Sequence, residues 1–334
     1  MKIIIEQIKT NIDVTDNEIF EIAKARLSKT RAFVFSGKMY IYKRSIDARH
    51  KDDIKFVSSV CAEVEAKKSI NEDVLSKFDI KYLANDNIEI KLKSQMPTES
   101  PLVVGFGPAG MFCALILARA GLKPIVIERG DDVDTRVEKV NNFYKNKILD
   151  INSNIQFGAG GAGTFSDGKL TTRINDSKCS FVLKTLAELG APDDIVYNAK
   201  PHIGTDMLRD VVKNMATEIE RLGGKIYYRT CLESFDNNIA TTNRGRLPYS
   251  SLVLAIGHSA RDTYTYLLNK GVAIEPKPFS VGVRVEHLRK DINEAMYGKY
   301  ADDERLGSLY CRLLLDPATE LNSIISSDSC LNVK

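Results

Sequence analysis

The 334-residue sequence predicts an α/β protein in which a small α+β domain precedes a larger domain with a parallel sheet. Three observations predict this arrangement. Residues 1–95 alternate between β-branched runs and amphipathic segments in the order β-α-β-β-α-β. The polar stretch KSQMPTESP at 93–101 contains two prolines and is typical of a linker, which we place at 96–101. From Leu102 an apolar strand, a glycine motif, a helix and a second apolar strand follow one another, as at the start of a parallel sheet.

The first domain, 1–95, is predicted element by element from its pattern. Its predicted elements are a strand at Lys2–Ile8, a helix from a capping Thr15 to about Leu27, strands at Met39–Arg49 and Lys55–Val64, a helix at Asn71–Phe78 and a strand at Ile88–Leu92. The basic stretch 42–51, between two strands, fits either a solvated hairpin rim or a surface for an anion or a partner.

The bulk composition narrows the function classes. A hydrophobic fraction of 43% and a charged fraction of 27% are ordinary for a soluble protein, and the net charge of +3 gives no reason to expect nucleic acid or an anionic membrane. No apolar run approaches the roughly 18 residues of a membrane span, and the start lacks signal-peptide features, so we expect a cytoplasmic protein. The six cysteines include no C-x-x-C pair and the four histidines show no metal spacing, so no metal site is predicted.

The larger domain opens on a G-x-G-x-x-G motif made of Gly105, Gly107 and Gly110 in the run LVVGFGPAG. The motif follows an apolar strand at Leu102–Val104 and begins a helix at Ala109–Ala120. This context favours a dinucleotide site, since the glycines permit a tight turn, close approach to a pyrophosphate and close strand–helix packing. A structural glycine turn is the alternative.

An acidic residue follows the second strand of this unit, Pro124–Ile127, and lies 18 residues after Gly110. Glu128 is therefore placed to accept hydrogen bonds from ribose hydroxyls. Because its carboxylate would repel a 2′-phosphate, we expect an ADP-like ligand and not one of the NADP type.

A second stretch, FGAGGAGTFSDGKL at 157–170, repeats the same glycine spacing at Gly158, Gly160 and Gly163. The preceding NSNIQF is short and polar, and no apolar helical stripe follows, so this is not a second nucleotide fold. A glycine loop lying against a flavin ring or pyrophosphate has this composition, with Thr164, Ser166, Asp167 and Lys169 supplying polar groups. A tight crossover between strands is the alternative.

The rest of the domain is predicted from its apolar pattern. The elements are an amphipathic helix at Asp206–Leu222, a strand at Lys225–Arg229, two short strands within Ile239–Pro248 and an apolar strand at Leu252–Ile256.

Five stretches carry a resemblance to the uncharacterised FAD-dependent dehydrogenases of bacteria, also described as NAD(FAD)-utilising dehydrogenases. They are KRSIDARHKDDI at 43–54, ERG at 128–130, NIQFGAGGAGTFSDGKLTTR at 154–173, LVLAIGHSARDT at 252–263 and EPKPFSVGVRVEH at 275–287. The similarity extends from residue 1 to about 307. Its most specific string is GGAGTFSDGKL.

The resemblance implies a Rossmann-like FAD-binding domain at 102–272, with the start of an inserted substrate domain at 273–307. It implies FAD as the cofactor, an unidentified small-molecule substrate and NAD(P)H as the candidate electron donor. The resemblance implies that Gly105, Gly107, Pro108, Ala109 and Gly110 hold the pyrophosphate, that Glu128 binds the ribose, and that Arg129 and Arg136 lie near the adenosine and phosphates. It implies that Gln156, Gly160, Gly161, Ala162 and Gly163 face the pyrophosphate and flavin. It also implies that the segment Thr230–Leu232 contacts the adenine, with Leu232 as its predicted site residue, and that Gly257 and His258 lie close to the cofactor.

Catalytic residues are not assigned by the sequence. If FAD is bound, the flavin carries the redox chemistry. His258, His202 and Lys169 are candidates for handling protons or charge, each with a solvated loop residue as the alternative.

The likeness fades after Gly307, and residues 308–334 do not resemble the family's continuation. We expect a divergent tail produced by a frameshift, an early stop or a fragment, with a genuinely shortened relative as the alternative. The expected function is that of an FAD-dependent oxidoreductase. We expect the 334-residue chain by itself to retain flavin poorly. The competing functions are nucleotide binding without catalysis, and a flavin-linked interaction protein that recruits partners through 1–95.

Overall fold

The computed structural model describes residues 1–67, 71–83, 88, 90–91, 96–166, 168–170, 172, 174, 176–276 and 287–307. The chain divides into two compact units. The first contains the described residues up to 85, the short segment Tyr197–Ala199 and the described residues after 278. The second contains the described residues of 86–196 and 200–277. The predicted tail at 308–334 and Asp167 lie outside the described residues.

The first unit is an α+β fold with one antiparallel sheet. In chain order it contains β1 (Lys2–Asn11), α1 (Asp16–Lys29), β2 (Phe33–Asp47), β3 (Lys55–Ala66), α2 (Glu72–Ser76) and β4 (Ile80–Tyr82). The sheet order is β2-β3-β1-β4, and each neighbouring pair is antiparallel, which is the split β-α-β arrangement. The strand after α2 is β4, whereas the sequence predicts it at 88–92. Residues 88, 90 and 91 lie outside any strand, and residues 89 and 92 are outside the described residues.

Helix α1 shows how local sequence fixes this unit. Thr15 accepts a hydrogen bond from the Glu18 N–H, and Glu18 reaches back to the Thr15 N–H, which is a capping box. The buried side chains of the helix are Ile19, Ala23 and Leu27, and they pack on the isoleucines of β1. Ile22, which the periodicity places on the same face, is 41% exposed.

Residues 287–307 pack within the first unit. The helix Arg289–Tyr297 and the turn at Glu304–Leu306 contribute Tyr297 and Leu306 to a cluster with Ile12, Ile54 and Phe56. The resemblance assigns this stretch to the start of an inserted domain. In the structure its described part instead shares a hydrophobic core with the N-terminal elements, because Tyr297 and Leu306 bury their apolar surface there. Residues 277–286 of the predicted insertion are outside the described residues.

The second unit has three layers built around a parallel sheet. Its elements are β5 (Leu102–Val104), α3 (Pro108–Arg119), β6 (Ile125–Ile127), α4 (Val133–Asn146), α5 (Ser177–Glu188), α6 (Thr205–Arg221), β7 (Lys225–Tyr227), β8 (Leu232–Asp236), β9 (Ile239–Thr242), β10 (Gly245–Pro248), β11 (Leu252–Leu254) and α7 (Arg261–Asn269). The parallel sheet has the order β11-β5-β6-β7, and β8 to β10 form a separate antiparallel sheet.

Two apolar clusters join these layers. Val103 and Val126 of the parallel sheet pack with the buried faces of α3 and α6, to which α6 contributes Val211, Val212, Met215 and Ile219. Leu102, Val104 and Ile127 point to the other face and pack with residues of the antiparallel sheet and Tyr249. Because a strand alternates its side chains, the three-residue strands β5 and β6 are apolar on both faces and are buried between the layers.

Candidate functional site

The first glycine motif lies where β5 ends and α3 begins, and its three glycines have different reasons to be glycine. Gly105 has a φ of +99°, and a Cβ there would lie 2.4 Å from the Ala255 carbonyl oxygen. A Cβ on Gly110 would lie 1.9 Å from the Gly105 carbonyl oxygen. Gly107 has a φ of −80°, and a Cβ there would meet only the Gly161 Cα at 3.7 Å. Packing therefore requires glycine at 105 and 110, whereas Gly107 keeps space open.

The N-terminus of α3 faces this open space. Gly107 is the N-cap residue, no side chain caps the helix, and Pro108 occupies the first turn. The first N–H groups of a helix have no partner within the helix and carry its partial positive charge. The arrangement suits a negatively charged ligand group.

Glu128 follows β6 and lies beside this helix end. Its side chain is buried, since the residue is 5% exposed. Its Oε2 accepts a hydrogen bond from the Phe106 N–H at 2.8 Å, and its Oε1 accepts from the N–H groups of Gly130 and Gly158 at 2.9 and 3.0 Å. The carboxylate thus ties together both glycine loops and the turn after β6. Since each carboxylate oxygen has two lone pairs, Oε2 retains acceptor capacity.

Arg136 differs from its expected location near the adenosine and phosphates. It is fully buried, and its guanidinium donates hydrogen bonds to carbonyl oxygens of residues 150–170, which we call the second glycine loop. The acceptors are the carbonyl oxygens of Asn154, Ile155, Gly158, Ala159 and Gly161. Burial lowers the pKa of this guanidinium to about 10, and the Glu128 charge opposes the shift. Arg136 therefore remains charged at neutral pH, and its hydrogen bonds to the loop carbonyls fix the shape of the loop on the side away from the cleft lining.

The second glycine loop contains bends and a short 3-10 helix, Gly161–Phe165, and no strand or α-helix lies within 150–170 among the residues described there. The described residues of this loop therefore contain neither the strand nor the helix that a second β-α-β unit would need there. Gly158 has a φ of +122° and would place a Cβ 2.3 Å from the Arg136 Cδ. Gly160 has a φ of +81° and is buried. A Cβ added to Gly163 would have no described atom within 4 Å. The loop is thus tight on its Arg136 side and open at Gly163.

These loops surround one cleft of about 440 Å³, a volume within the usual range for small-molecule sites. The predicted site residues that line it are Gly105, Gly107, Pro108, Ala109, Glu128, Arg129, Gln156, Gly161, Ala162, Gly163, Leu232, Gly257 and His258. The predicted residues outside the lining are Gly110, Arg136 and Gly160, which pack behind it.

The cleft also contains residues that the sequence analysis did not single out. Phe157, Ser259, Thr263 and Tyr264 line it, together with Cys231 of the predicted adenine segment. Burial raises the pKa of the Cys231 thiol, which therefore stays protonated near neutral pH. For Ser259, Thr263 and Tyr264 the sequence signal was their position after the apolar strand β11, since ligands of parallel sheets bind beyond the carboxyl ends of the strands. Phe157 is the first residue of the stretch FGAGGAGTFSDGKL.

Of the candidates for proton handling, His258 lines the cleft, and its Nε2 lies 3.3 Å from the Ser259 Oγ. His202 and Lys169 form an isolated antiparallel bridge with each other and are not among the lining residues. Within the described residues no group of His, Cys, Asp and Glu side chains is arranged to hold a metal ion. None of the helices in the described part of the chain combines the length and apolar character of a membrane span.

Asp150 braces the start of the second glycine loop. Its Oδ1 accepts hydrogen bonds from the N–H groups of Asn152 and Ser153 at 2.9 and 3.0 Å, and Lys139 and Arg229 contact its Oδ2. Burial alone would raise the pKa of Asp150, but the Asn152 N–H and the two cationic side chains lower it to about 2.

Asp150→Asn is expected to lower the free energy of unfolding by about 1–2 kcal/mol at pH 7. The folded-state pKa lies below the unfolded one, so this stabilisation is present above about pH 4 and is lost as the pH falls toward 2. Urea unfolding between pH 2.5 and 7 measures it. The parent should lose this increment at low pH and Asp150→Asn should not, while the exposed Asp236→Asn should behave like the parent. Equal pH profiles for the parent and Asp150→Asn would contradict the assignment.

Comparison with known proteins gives one sequence relative of note. No protein-family model matches the chain. An uncharacterised protein of Clostridium beijerinckii (strain ATCC 51743 / NCIMB 8052) is 47% identical over 283 residues, which is 83% of this chain and 53% of that protein. The chain therefore spans about half the length of this curated relative.

Solved structures resemble the chain only distantly. L-proline dehydrogenase from P. horikoshii has a TM-score of 0.36 and 16% identity, with 54% of this chain and 58% of that chain covered. Glycine oxidase from Bacillus cereus ATCC 14579 has a TM-score of 0.35 and 14% identity, with 52% of this chain and 59% of that chain covered.

Proposed function

We propose that the cleft binds the ADP portion of FAD and that the chain is the nucleotide-binding part of a flavin-dependent oxidoreductase. One observation carries the proposal. A buried carboxylate, Glu128, lies at the carboxyl end of β6 beside the uncapped N-terminus of α3, in the same cleft. A carboxylate that accepts from ribose hydroxyls and a helix end that attracts phosphate are the two groups an ADP moiety needs next to each other.

The two open glycines support the fit. Gly107 and Gly163 line the cleft and have ordinary backbone φ values, and a Cβ on either would come within 3.5 Å of no atom of the described residues. Glycine at these positions is explained by the close approach of a ligand to backbone. Gly158 and Gly160 are instead glycine because of the chain's own packing.

The residues that would hold FAD follow from this arrangement. The glycine loop and the α3 N-terminus would hold the pyrophosphate, the free acceptor capacity of Glu128 Oε2 the ribose, and 230–232 the adenine. When bound, FAD supplies the hydride-transfer chemistry. His258 is the lining residue best placed to hold or move a proton, since its ring lies in the cleft next to Ser259. NAD(P)H as electron donor, the substrate and a cytoplasmic location remain predictions.

Nucleotide binding without catalysis is the second candidate. It is favoured by the isolation of His258, whose described side-chain contact is a serine hydroxyl and not a second titratable group. Reduction of the purified, FAD-loaded protein by NADH or NADPH, followed at the flavin absorbance band, separates the two. Interaction through residues 1–95 remains a third proposal and is tested by a pull-down with that segment.

Gly107→Ala is expected to weaken ADP binding at least about tenfold with little change in melting temperature, because the added methyl would fill ligand space without a clash inside the chain. Isothermal titration with ADP and thermal melts measure the two effects.

Gly110→Ala is the matched control for this experiment. Its Cβ would lie 1.9 Å from a backbone oxygen, so it should lower the melting temperature with or without ADP. If Gly107→Ala binds ADP like the parent, the glycine loop does not contact the nucleotide and the proposed function is wrong.

A further inference from the structure

Two side-chain bridges tie the segment after β11 to the segment after β6 and to the second glycine loop. Strand β5, which leads into the motif, lies between β11 and β6 in the sheet. The segment after β6 carries Arg129, and the segment after β11 carries Ser259 and Asp262. Arg129 Nη2 donates to both carboxylate oxygens of Asp262, at 2.9 and 2.8 Å. Ser259 Oγ donates to the Oε1 of Gln156, in the second glycine loop, at 2.5 Å.

Both bridges belong to the cleft. Arg129, Gln156, Phe157 and Ser259 line it, and Asp262 lies one residue before the lining residue Thr263. The Arg129–Asp262 bridge therefore connects the cleft wall after β6 with the wall after β11, and the Gln156–Ser259 bridge connects the second glycine loop with the wall after β11. The segment 259–262 is thereby tied to the rest of the cleft at two points.

Arg129 is held firmly, and its partner is accessible. The guanidinium carbon lies 4.6 Å from the centre of the Phe157 ring, and the side chain is 15% exposed. The Asp262 side chain is 59% exposed. An ion pair with one solvated member is weak and is screened by salt. Breaking this ion pair therefore costs little free energy, and Asp262 is the partner that moves away.

We propose that residues 259–264, which lead into α7 and form its first turn, are a strap that closes over the bound nucleotide, fastened by the Arg129–Asp262 and Gln156–Ser259 bridges. The inference rests on the proposed function and adds a kinetic role that the nucleotide-binding residues do not have. The strap slows ligand exchange, because a ligand along the glycine loop enters or leaves when the bridges are open. Asp262 and Ser259 are positioning residues that act through Arg129 and Gln156.

The test is the release of FAD from the full chain in a stopped-flow instrument, chased with excess ADP and followed by flavin fluorescence. Asp262→Asn removes the ion pair, and Ser259→Ala removes the other bridge without changing any charge. Each is expected to raise the release rate about two- to fivefold. Raising the salt concentration should accelerate release more from the parent than from Asp262→Asn, because salt weakens the attraction of the pyrophosphate to α3 in both proteins but only the parent has the ion pair to screen.

Asp206→Asn is the matched control. Asp206 lies in the first turn of α6, and Asp262 lies in the first turn of α7. Both changes therefore remove a carboxylate that interacts with a helix dipole. Asp206, however, is not among the residues that line the cleft. Its release rate should equal that of the parent. If the parent binds FAD and both cleft variants release it at the parent's rate, the strap is wrong and the proposed function survives. If the parent binds neither FAD nor ADP, the proposed function fails, and the strap fails with it.

Discussion

Replacing Glu128 with alanine is expected to lower the free energy of unfolding by about 3–5 kcal/mol in the absence of any ligand. The reason is that its carboxylate accepts buried hydrogen bonds from three backbone N–H groups, those of Phe106, Gly130 and Gly158. Removing the acceptor leaves three buried donors unpaired. Urea unfolding without nucleotide measures the loss.

The same variant is expected to lose about 10- to 150-fold in affinity for ADP or FAD, since a hydrogen bond to a charged group contributes about 1.5–3 kcal/mol. Glu220→Ala is the control, because Glu220 is exposed on α6, and it should change neither quantity. A Glu128→Ala protein as stable as the parent would contradict the structural role. One that is destabilised but binds ADP normally would contradict the ribose contact alone.

Replacing Arg136 with methionine is expected to cost about 3–5 kcal/mol of stability, since it removes a buried cation that is hydrogen-bonded to loop carbonyls near the Glu128 charge. The second glycine loop should lose its shape before the rest of the unit unfolds. Amide hydrogen exchange of residues 154–166, combined with urea unfolding, measures both effects.

Arg136→Lys separates charge from geometry. Lysine keeps the charge but has three donors on one nitrogen, so it cannot reach the carbonyls that the guanidinium joins, and it should recover only part of the loss. The exposed Arg246→Met should resemble the parent. Unchanged exchange in Arg136→Met would show that the loop holds its shape without this residue.

The sequence correctly predicts the strands and helices around the site where residues close together in sequence determine them. The apolar strand, the Gly105–Gly110 motif and the following helix are found as β5, the loop and α3. The helix cap at Thr15 and the apolar stripe of α6 are also found as predicted. Each of these depends on residues close in sequence, so their spacing carries the information.

The residues that the sequence misplaces depend on distant contacts. Arg136 lies on α4 with no pattern that distinguishes a ligand-binding arginine from one that binds loop carbonyls far along the chain. The contacts of Asp262 and Ser259 join positions more than a hundred residues apart, and no local signal marks them.

The most direct test of the central claim is an equilibrium titration of the purified chain with ADP and, in parallel, with 2′-phospho-ADP, which keeps the 5′-pyrophosphate and adds only the 2′-phosphate. ADP should bind in a 1:1 complex, and the 2′-phosphorylated nucleotide should bind at least about tenfold more weakly, because the buried Glu128 carboxylate repels a 2′-phosphate. Equal binding of the two nucleotides, or no binding of ADP at millimolar concentration, would contradict the account.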